Sequence, residues 1–412
     1  MKHSLEIHTL PNGFRVAFVN VQNVDTVTVH LKGLAGSNYE SAQQIGCAHL
    51  IEHLSLQGPV SKSLNKLTSL GCKYYGVTSR DTVLYMCKGL SDYTEQMVRT
   101  LFEVFSNISF SDAQLENTKN IAVSEHLRRI EYPEKLLGMK IYESLFSNHR
   151  ITGFNTGDEK QISLVMLENC IDFKKHRYIP QNFVLVVSGN FDKNKVTDKI
   201  NKTFGKLKSG TSKTPSAINL TEVRSPNIVK PKRIAGIKSR QFHIMLGWTT
   251  EALNSYTEVD YQICSALLEQ RLVDSLKIKL GLSYTASSSF FNSQNYGIFG
   301  IYASCSPKNA DKMVSELFKI VKNQSLSKIE PKVLKSIKNV IKSEYIFNFE
   351  KVSGLAEFYS ESVLTNSKSY DIDELMLLID KFNAKKAEDT FTKLFSQKPK
   401  IIYISNSILN IK

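Results

Sequence analysis

The 412-residue chain has no hydrophobic run long enough to cross a bilayer, where about 20 consecutive apolar residues are needed. Its N-terminus, Met1-Lys2-His3-Ser4-Leu5-Glu6, carries no apolar stretch of the signal-peptide kind and leads straight into a strand pattern. The six cysteines, Cys47, Cys72, Cys87, Cys170, Cys264 and Cys305, form no C-x-x-C pair and no even framework. That spacing excludes a disulfide scaffold and reads as buried thiols of a reducing compartment. The expected location is the cytoplasm. Acidic residues are outnumbered, with 39 Asp+Glu against 53 Lys+Arg and a formal net charge of +14. Such a balance can serve nucleic acid or an anionic membrane. No nucleic-acid motif accompanies it, and the lysines are spread widely. Lys332, Lys335, Lys338 and Lys342 make a stripe on one expected helix, which reads as a solvated face. Neither a nucleic acid nor a membrane is expected as partner.

What is present is the composition of a globular protein, 42% hydrophobic and 22% charged, with enough apolar residues for a sizeable core. The length suits two or three domains. The stretch from Lys206 to Arg233, rich in Lys, Ser, Thr and Pro, is the natural break. It divides the chain into an N-terminal domain at 1–212, a linker at 213–232 and a C-terminal domain at 233–412. In the first part strand patterns alternate with long helices, and a buried strand, Phe183 to Ser188, lies near the end. After the break come a strand at Phe242–Trp248, a helix near Glu258–Leu280, strands at Ser283–Phe291 and Gly297–Ser304, helices from Ala310 to Phe395, and a strand at Lys400–Ile404.

The residues that carry chemistry begin with His49-Leu50-Ile51-Glu52-His53. This is H-x-x-E-H, the zinc-peptidase signature H-E-x-x-H run backwards. Positions four apart share a helix face, so His49 and His53 can reach one metal ion. Glu52 then sits beside that ion, where a general base for a coordinated water belongs. The run Ser41 to Gln57 contains no proline and Gly58-Pro59 ends it, as a helix requires. Two histidines satisfied by solvent or core partners are the alternative reading. A peptidase zinc site takes three protein ligands. In the second expected helix, Ser111 to Ile130, Leu115, Thr118, Ala122 and Glu125 share a stripe. Glu125 is therefore the best third ligand, whereas Glu116 points away and His126 points to one side.

These residues lie among others in a recognisable order. Leu10-Pro11-Asn12-Gly13-Phe14-Arg15-Val16 opens the chain, followed by Gly36-Ser37-Asn38-Tyr39-Glu40 and by Gly46-Cys47-Ala48 before the H-x-x-E-H helix. Thr78-Ser79-Arg80-Asp81-Thr82-Val83-Leu84-Tyr85, Tyr178-Ile179-Pro180-Gln181-Asn182 and Gly281-Leu282-Ser283-Tyr284 come after it. In this, over nearly its whole length, the chain resembles the pitrilysin/insulinase family of zinc peptidases. The likeness is to the short branch of mitochondrial processing peptidase and its bacterial relatives.

The resemblance implies an α+β fold of two similar domains, each a mostly antiparallel sheet packed with helices, the half-clamshell of these metallopeptidases. It implies one Zn2+ per chain on His49, His53 and Glu125, with Glu52 as catalytic base. The function implied is zinc-dependent endopeptidase, hydrolysing extended peptides laid along the Tyr74–Thr78 edge. The positive field would favour acidic or neutral peptides over basic ones. Thr118 stands where the family places a second Glu that supports the site. Lys277 stands where it places an Arg, seven residues before the Tyr of G-L-x-Y, here Tyr284; the pair would hold the substrate backbone. Tyr75-Gly76 replaces Asn-Ala on the docking strand, and Leu268-Glu269-Gln270-Arg271 stands in for a Gly-rich loop. The short branch builds an enzyme from two chains, so a homodimer is expected, or a heterodimer with a related chain. The alternative function is a weakly catalytic or non-catalytic partner subunit.

Overall fold

The computed structural model describes residues 2–146, 154–211, 232–234, 239–252, 255–322, 329–365 and 372–406. Two sheets organise them. The first runs β1-β2-β6-β3-β5-β4, built from β1 (His3–Thr9), β2 (Arg15–Val21), β3 (Thr26–Gly33), β4 (Lys73–Thr78), β5 (Val83–Leu90) and β6 (Phe183–Gly189). All its pairs are antiparallel except β2 with β6. The second runs β7-β11-β8-β10-β9, from β7 (Lys232–Ile234), β8 (Phe242–Thr250), β9 (Ser283–Asn292), β10 (Gly297–Cys305) and β11 (Lys400–Ile404). It too has a single parallel pair, β7 with β11. The fold is α+β in two units, as expected from the sequence.

Strand alternation decides what each face of the first sheet does. Val27, Val29 and Leu31 of β3 and Phe183, Leu185 and Val187 of β6 point to one side. There they join residues of α1 (Cys47–Ser55), α2 (Val60–Ser69), α3 (Thr94–Ser106) and α4 (Asp112–Ile130) in one apolar core. The other side of β3 carries Thr28, His30 and Lys32, all buried. The helix Val352–Leu364 covers it, with Ser360 on His30 and Glu361 in an ion pair with Lys32.

In the second unit α5 (Pro133–Leu145) packs its apolar residues Leu136, Leu137, Ile141 and Leu145 with Tyr296, Ile298 and Ile402. Gly247 of β8 leaves the room that Ile141 fills, since a Cβ there would lie 2.6 Å from an Ile141 methyl. The units are therefore not divided by one cut. The first comprises Met1–Leu127, Phe154–Ser216 and Tyr345–Tyr370, and the second Arg128–Gly153, Ala217–Glu344 and Asp371–Lys412. Each half of the sequence lends a helix to the other's sheet, because each sheet has two faces to cover. Of the expected linker, 213–231 lies outside the described residues; Lys232 opens β7.

Two further expectations differ. Leu268-Glu269-Gln270-Arg271 is not a loop but the last turn of the helix Ser255–Leu272, which continues into a π-helical segment, Val273–Lys279. Glu269 accepts a hydrogen bond from the Ser288 backbone N–H of β9 at 3.1 Å, a tether that a loop would not hold. The lysine stripe is not wholly solvated either. Lys338 donates to the carbonyls of Asp380 and Phe382 at 2.7 and 2.9 Å, and Lys342 pairs with Asp380. Those carbonyls end the helix Ile372–Lys381, where a cation is favoured. Among the described residues no helix is long and apolar enough to cross a membrane.

Candidate metal centre

The helix that carries H-x-x-E-H is short, nine residues from Cys47 to Ser55. The proline-free run from Ser41 does not extend it upstream, because Gly46 takes φ +98°, outside the helical region. Glu40 caps the start instead, its carboxyl accepting from the backbone N–H of Gly46 at 3.0 Å and of Ala48 at 2.7 Å. Burial pushes the Glu40 carboxyl up to about 8, against the opposing pull of those two N–H groups and of Arg80. Folding therefore favours the protonated acid. The stability it contributes is complete below pH 4.5 and lost as pH rises towards 8. Relative to Glu40→Gln, wild-type stability should fall by up to about 1.4 kcal/mol per pH unit across that window, read from thermal melts at each pH.

From this helix His49 and His53 present their Nε2 atoms 3.2 Å apart. Glu125 on α4 brings Oε2 to 3.3 Å from His49 Nε2 and Oε1 to 3.7 Å from His53 Nε2. The buried stripe on α4 is Leu115, Thr118, Ala122 and His126, and Glu125 flanks it, facing α1. Among the described residues these three are the cluster of ligand type, all within 4.8 Å of one another. Ligands about 2.0–2.2 Å from a tetrahedral zinc stand about 3.3–3.6 Å apart, within about 0.1 Å of the observed 3.2, 3.3 and 3.7 Å. With the ring protons on Nδ1, both Nε2 lone pairs and the Glu125 carboxylate present donor atoms to one point. Burial, with His49 beside it, holds the His53 pKa below the ordinary imidazole range despite Glu125, keeping the ring in the neutral form that binds metal. The donor set fits zinc.

Glu52 is 6% exposed and lies across the edge strand β4. A Cβ on Gly76 would fall 2.1 Å from its Oε1, so the bare glycine backbone is the surface on which the carboxylate rests. Thr78, two residues along and on the same face, faces Glu52 Oε2 at 3.5 Å. Asn155 pins the strand end by donating to the Thr78 carbonyl at 2.6 Å. Thr78 was missed from the sequence as a partner of Glu52, although its place two residues after Gly76 was the available signal. Tyr75 points to the opposite face, where Glu357 lies near enough to help burial raise the phenol pKa.

Thr118 is fully buried, and its hydroxyl proton goes to the Gln114 carbonyl at 2.8 Å while its oxygen accepts from Gln57 Nε2 at 3.1 Å. It has no proton left for a metal ligand; it joins α4 to the end of α1. His49 Nδ1, the ring atom a supporting carboxylate would take, is buried with no hydrogen-bond partner among the described residues. Thr118→Glu is expected to lower the melting temperature, since a larger, charged side chain enters a filled site at a cost of roughly 1–3 kcal/mol. An unchanged melting temperature would show instead that the site has room for the carboxylate. His126 is buried edge-on against Phe154, and Cys47 Sγ lies 3.9 Å from Cys170 Sγ; neither belongs to the cluster. In the second unit Lys277 and Tyr284 meet, with the ammonium 5.0 Å from the ring centre and Tyr284 84% exposed.

This chain is similar to proteins already described. A family model described as "Insulinase (Peptidase family M16)" matches residues 15–153, and one described as "Peptidase M16 inactive domain" matches residues 165–341. An uncharacterized zinc protease of Rickettsia felis is 23% identical over 410 residues, covering 96% of this chain and 96% of its own. A probable mitochondrial-processing peptidase subunit beta of Arabidopsis thaliana is 20% identical, covering 95% of this chain and 76% of its own. Among solved structures a protease from Helicobacter pylori superposes with a TM-score of 0.89 at 19% identity, over 98% of this chain and 100% of that one.

Proposed function

The chain belongs to the pitrilysin/insulinase family of zinc peptidases, family M16, and from that premise we propose that it is a zinc-dependent endopeptidase acting on extended peptides. The observation that carries this reading is the convergence of His49, His53 and Glu125 on one point, with the Glu52 carboxylate laid over the Gly76 backbone. His49, His53 and Glu125 would hold one zinc per chain. When bound, zinc supplies Lewis acidity, lowering the pKa of a water and polarising a peptide carbonyl. Glu52 accepts the proton of the attacking water and passes it to the leaving amine. Its place on Gly76 brings that proton acceptor against the strand on which substrate docks. The peptide adds to the open side of β4 between Tyr74 and Thr78, with backbone pairing giving affinity. Gly76 and Tyr75, on opposite faces, meet alternate substrate side chains.

Lys277 and Tyr284 steady the bound backbone or the developing oxyanion, their contact with each other holding the ammonium in place. The working assembly is a pair of chains. A homodimer supplies both sets of residues, and a heterodimer with a related chain is the second arrangement, consistent with the likeness to a processing-peptidase beta subunit. The rival reading is a weakly catalytic or non-catalytic partner subunit. It draws on the engaged hydroxyl of Thr118 and on Lys277, which lacks the planar fork of an arginine.

Zinc content per chain, measured alongside cleavage of a mixed peptide library, tests the proposal. One zinc with cleavage supports it. Zinc without cleavage by the chain alone favours the partner subunit, and a chain that binds no zinc ends the peptidase reading.

A further inference from the structure

The open side of β4 is not uniform. Ser79 donates its N–H to the Thr82 carbonyl at 2.8 Å across the hairpin, and Thr78 is registered on Val83. In an antiparallel pair every second residue turns its N–H and C=O to the partner strand, and those between turn away. Ser79, Val77 and Tyr75 therefore face β5, and Thr78, Gly76 and Tyr74 offer their backbone groups to the open edge. One of these groups is already taken. Asn155 Nδ2 donates to the Thr78 carbonyl at 2.6 Å.

The neighbours of Asn155 fix it in place. Phe154 packs edge-on against His126, with 5.0 Å between ring centres, and His126 follows Glu125 on α4. Thr156 is fully buried beside the start of α1, where a Cβ on Gly46 would stand 3.1 Å from its carbonyl oxygen. The amide that closes the edge thus sits on a segment packed against both helices that carry His49, His53 and Glu125.

We infer that Asn155 is a specificity-determining residue that closes the docking edge at Thr78. A strand added to β4 can pair fully with Tyr74 and Gly76, whereas at Thr78 only the N–H is left to bond. In either direction of the peptide, one of its N–H groups meets a carbonyl that is occupied. Proline has no N–H, so it is accepted at that position and disfavoured at the two whose N–H groups reach Gly76 and Tyr74. This inference rests on the docking part of the peptidase reading and not on turnover.

The test measures binding, in the Glu52→Gln variant so that the peptide stays whole. The probe is the member of the mixed peptide library that this variant binds most tightly, resynthesised with one backbone N-methyl group at each position in turn. Two positions, two residues apart, should each lose about 10-fold in affinity, with the positions two residues to either side unaffected. With Asn155→Ala added, one of those flanking positions should become sensitive, because the Thr78 carbonyl is then open to the peptide. A merely structural role for Asn155 would weaken the parent and the methylated peptides alike and leave the pattern unchanged. Three sensitive positions before Asn155 is replaced, or only two after, would overturn the inference. Where the double variant fails to fold, the first of these results still decides. A library with no bound member, or a bound peptide with no sensitive position, would overturn the docking edge and the inference together. Failure of the catalytic reading would show separately, as wild-type protein that binds no zinc and cuts no member of the library.

Discussion

Glu52→Gln is expected to lower kcat by about three to four orders of magnitude and to leave one zinc bound per chain. The amide has nearly the shape of the carboxylate. It can rest on Gly76 and still face Thr78, so packing of the 6%-exposed side chain is kept. It cannot accept a proton. Because Glu52 is outside the His49, His53 and Glu125 cluster, metal content should not follow the loss of turnover. Steady-state kinetics with metal analysis of the same preparation separates the two. A variant that turns over normally would sink the assignment of Glu52. One that loses zinc as well would mean that Glu52 belongs to the ligand set.

His53→Ala is expected to abolish both zinc binding and turnover while leaving the first unit folded. It removes one of two imidazoles 3.2 Å apart, and a three-ligand site cannot lose one without losing tetrahedral coordination. The fold around it should persist. Glu40 caps α1, and Cys47, Ala48, Leu50, Ile51 and Leu54 are buried in the core, whereas His53 is partly exposed. Melting temperatures with and without zinc give the comparison. In the wild type, zinc at a hundred times its dissociation constant should add about 2.7 kcal/mol to stability. In His53→Ala it should add nothing. A zinc-induced shift of wild-type size in the variant would place the metal elsewhere.

The two predictions draw on different depths of information. That His49 and His53 share a helix face could be read from spacing; the stripe of Leu115, Thr118, Ala122 and Glu125 could be read only in part, since His126 takes the buried position and Glu125 flanks it. Helical periodicity is local, repeating within a few residues whatever the rest of the chain does. The alternating strands were legible for the same reason, and so were the stops at Gly58-Pro59 and Pro133. The helix start at Cys47 was not. It depends on Glu40 folding back onto two N–H groups, and on Gly46 taking a positive φ.

Tertiary structure alone decided the rest. Thr118 gives its one proton to the Gln114 carbonyl a turn back in its own helix, and only packing brings Gln57 Nε2 to its oxygen, so the hydroxyl serves neither His49 nor His53. Lys174 is buried because Ser55 and Val104, remote in sequence, receive its amine. Tyr75-Gly76 reads in the sequence as a replacement of Asn-Ala, and only the structure makes Gly76 the surface on which the Glu52 carboxylate lies. The exchange of helices, α5 to the second sheet and Val352–Leu364 to the first, follows from two-faced sheets that each need covering on both sides. By itself the sequence determined that His49 and His53 share a helix face and set the order of strands and helices, because those follow from short-range spacing. Which protons, cavities and sheet faces meet was decided by packing between segments far apart in the chain.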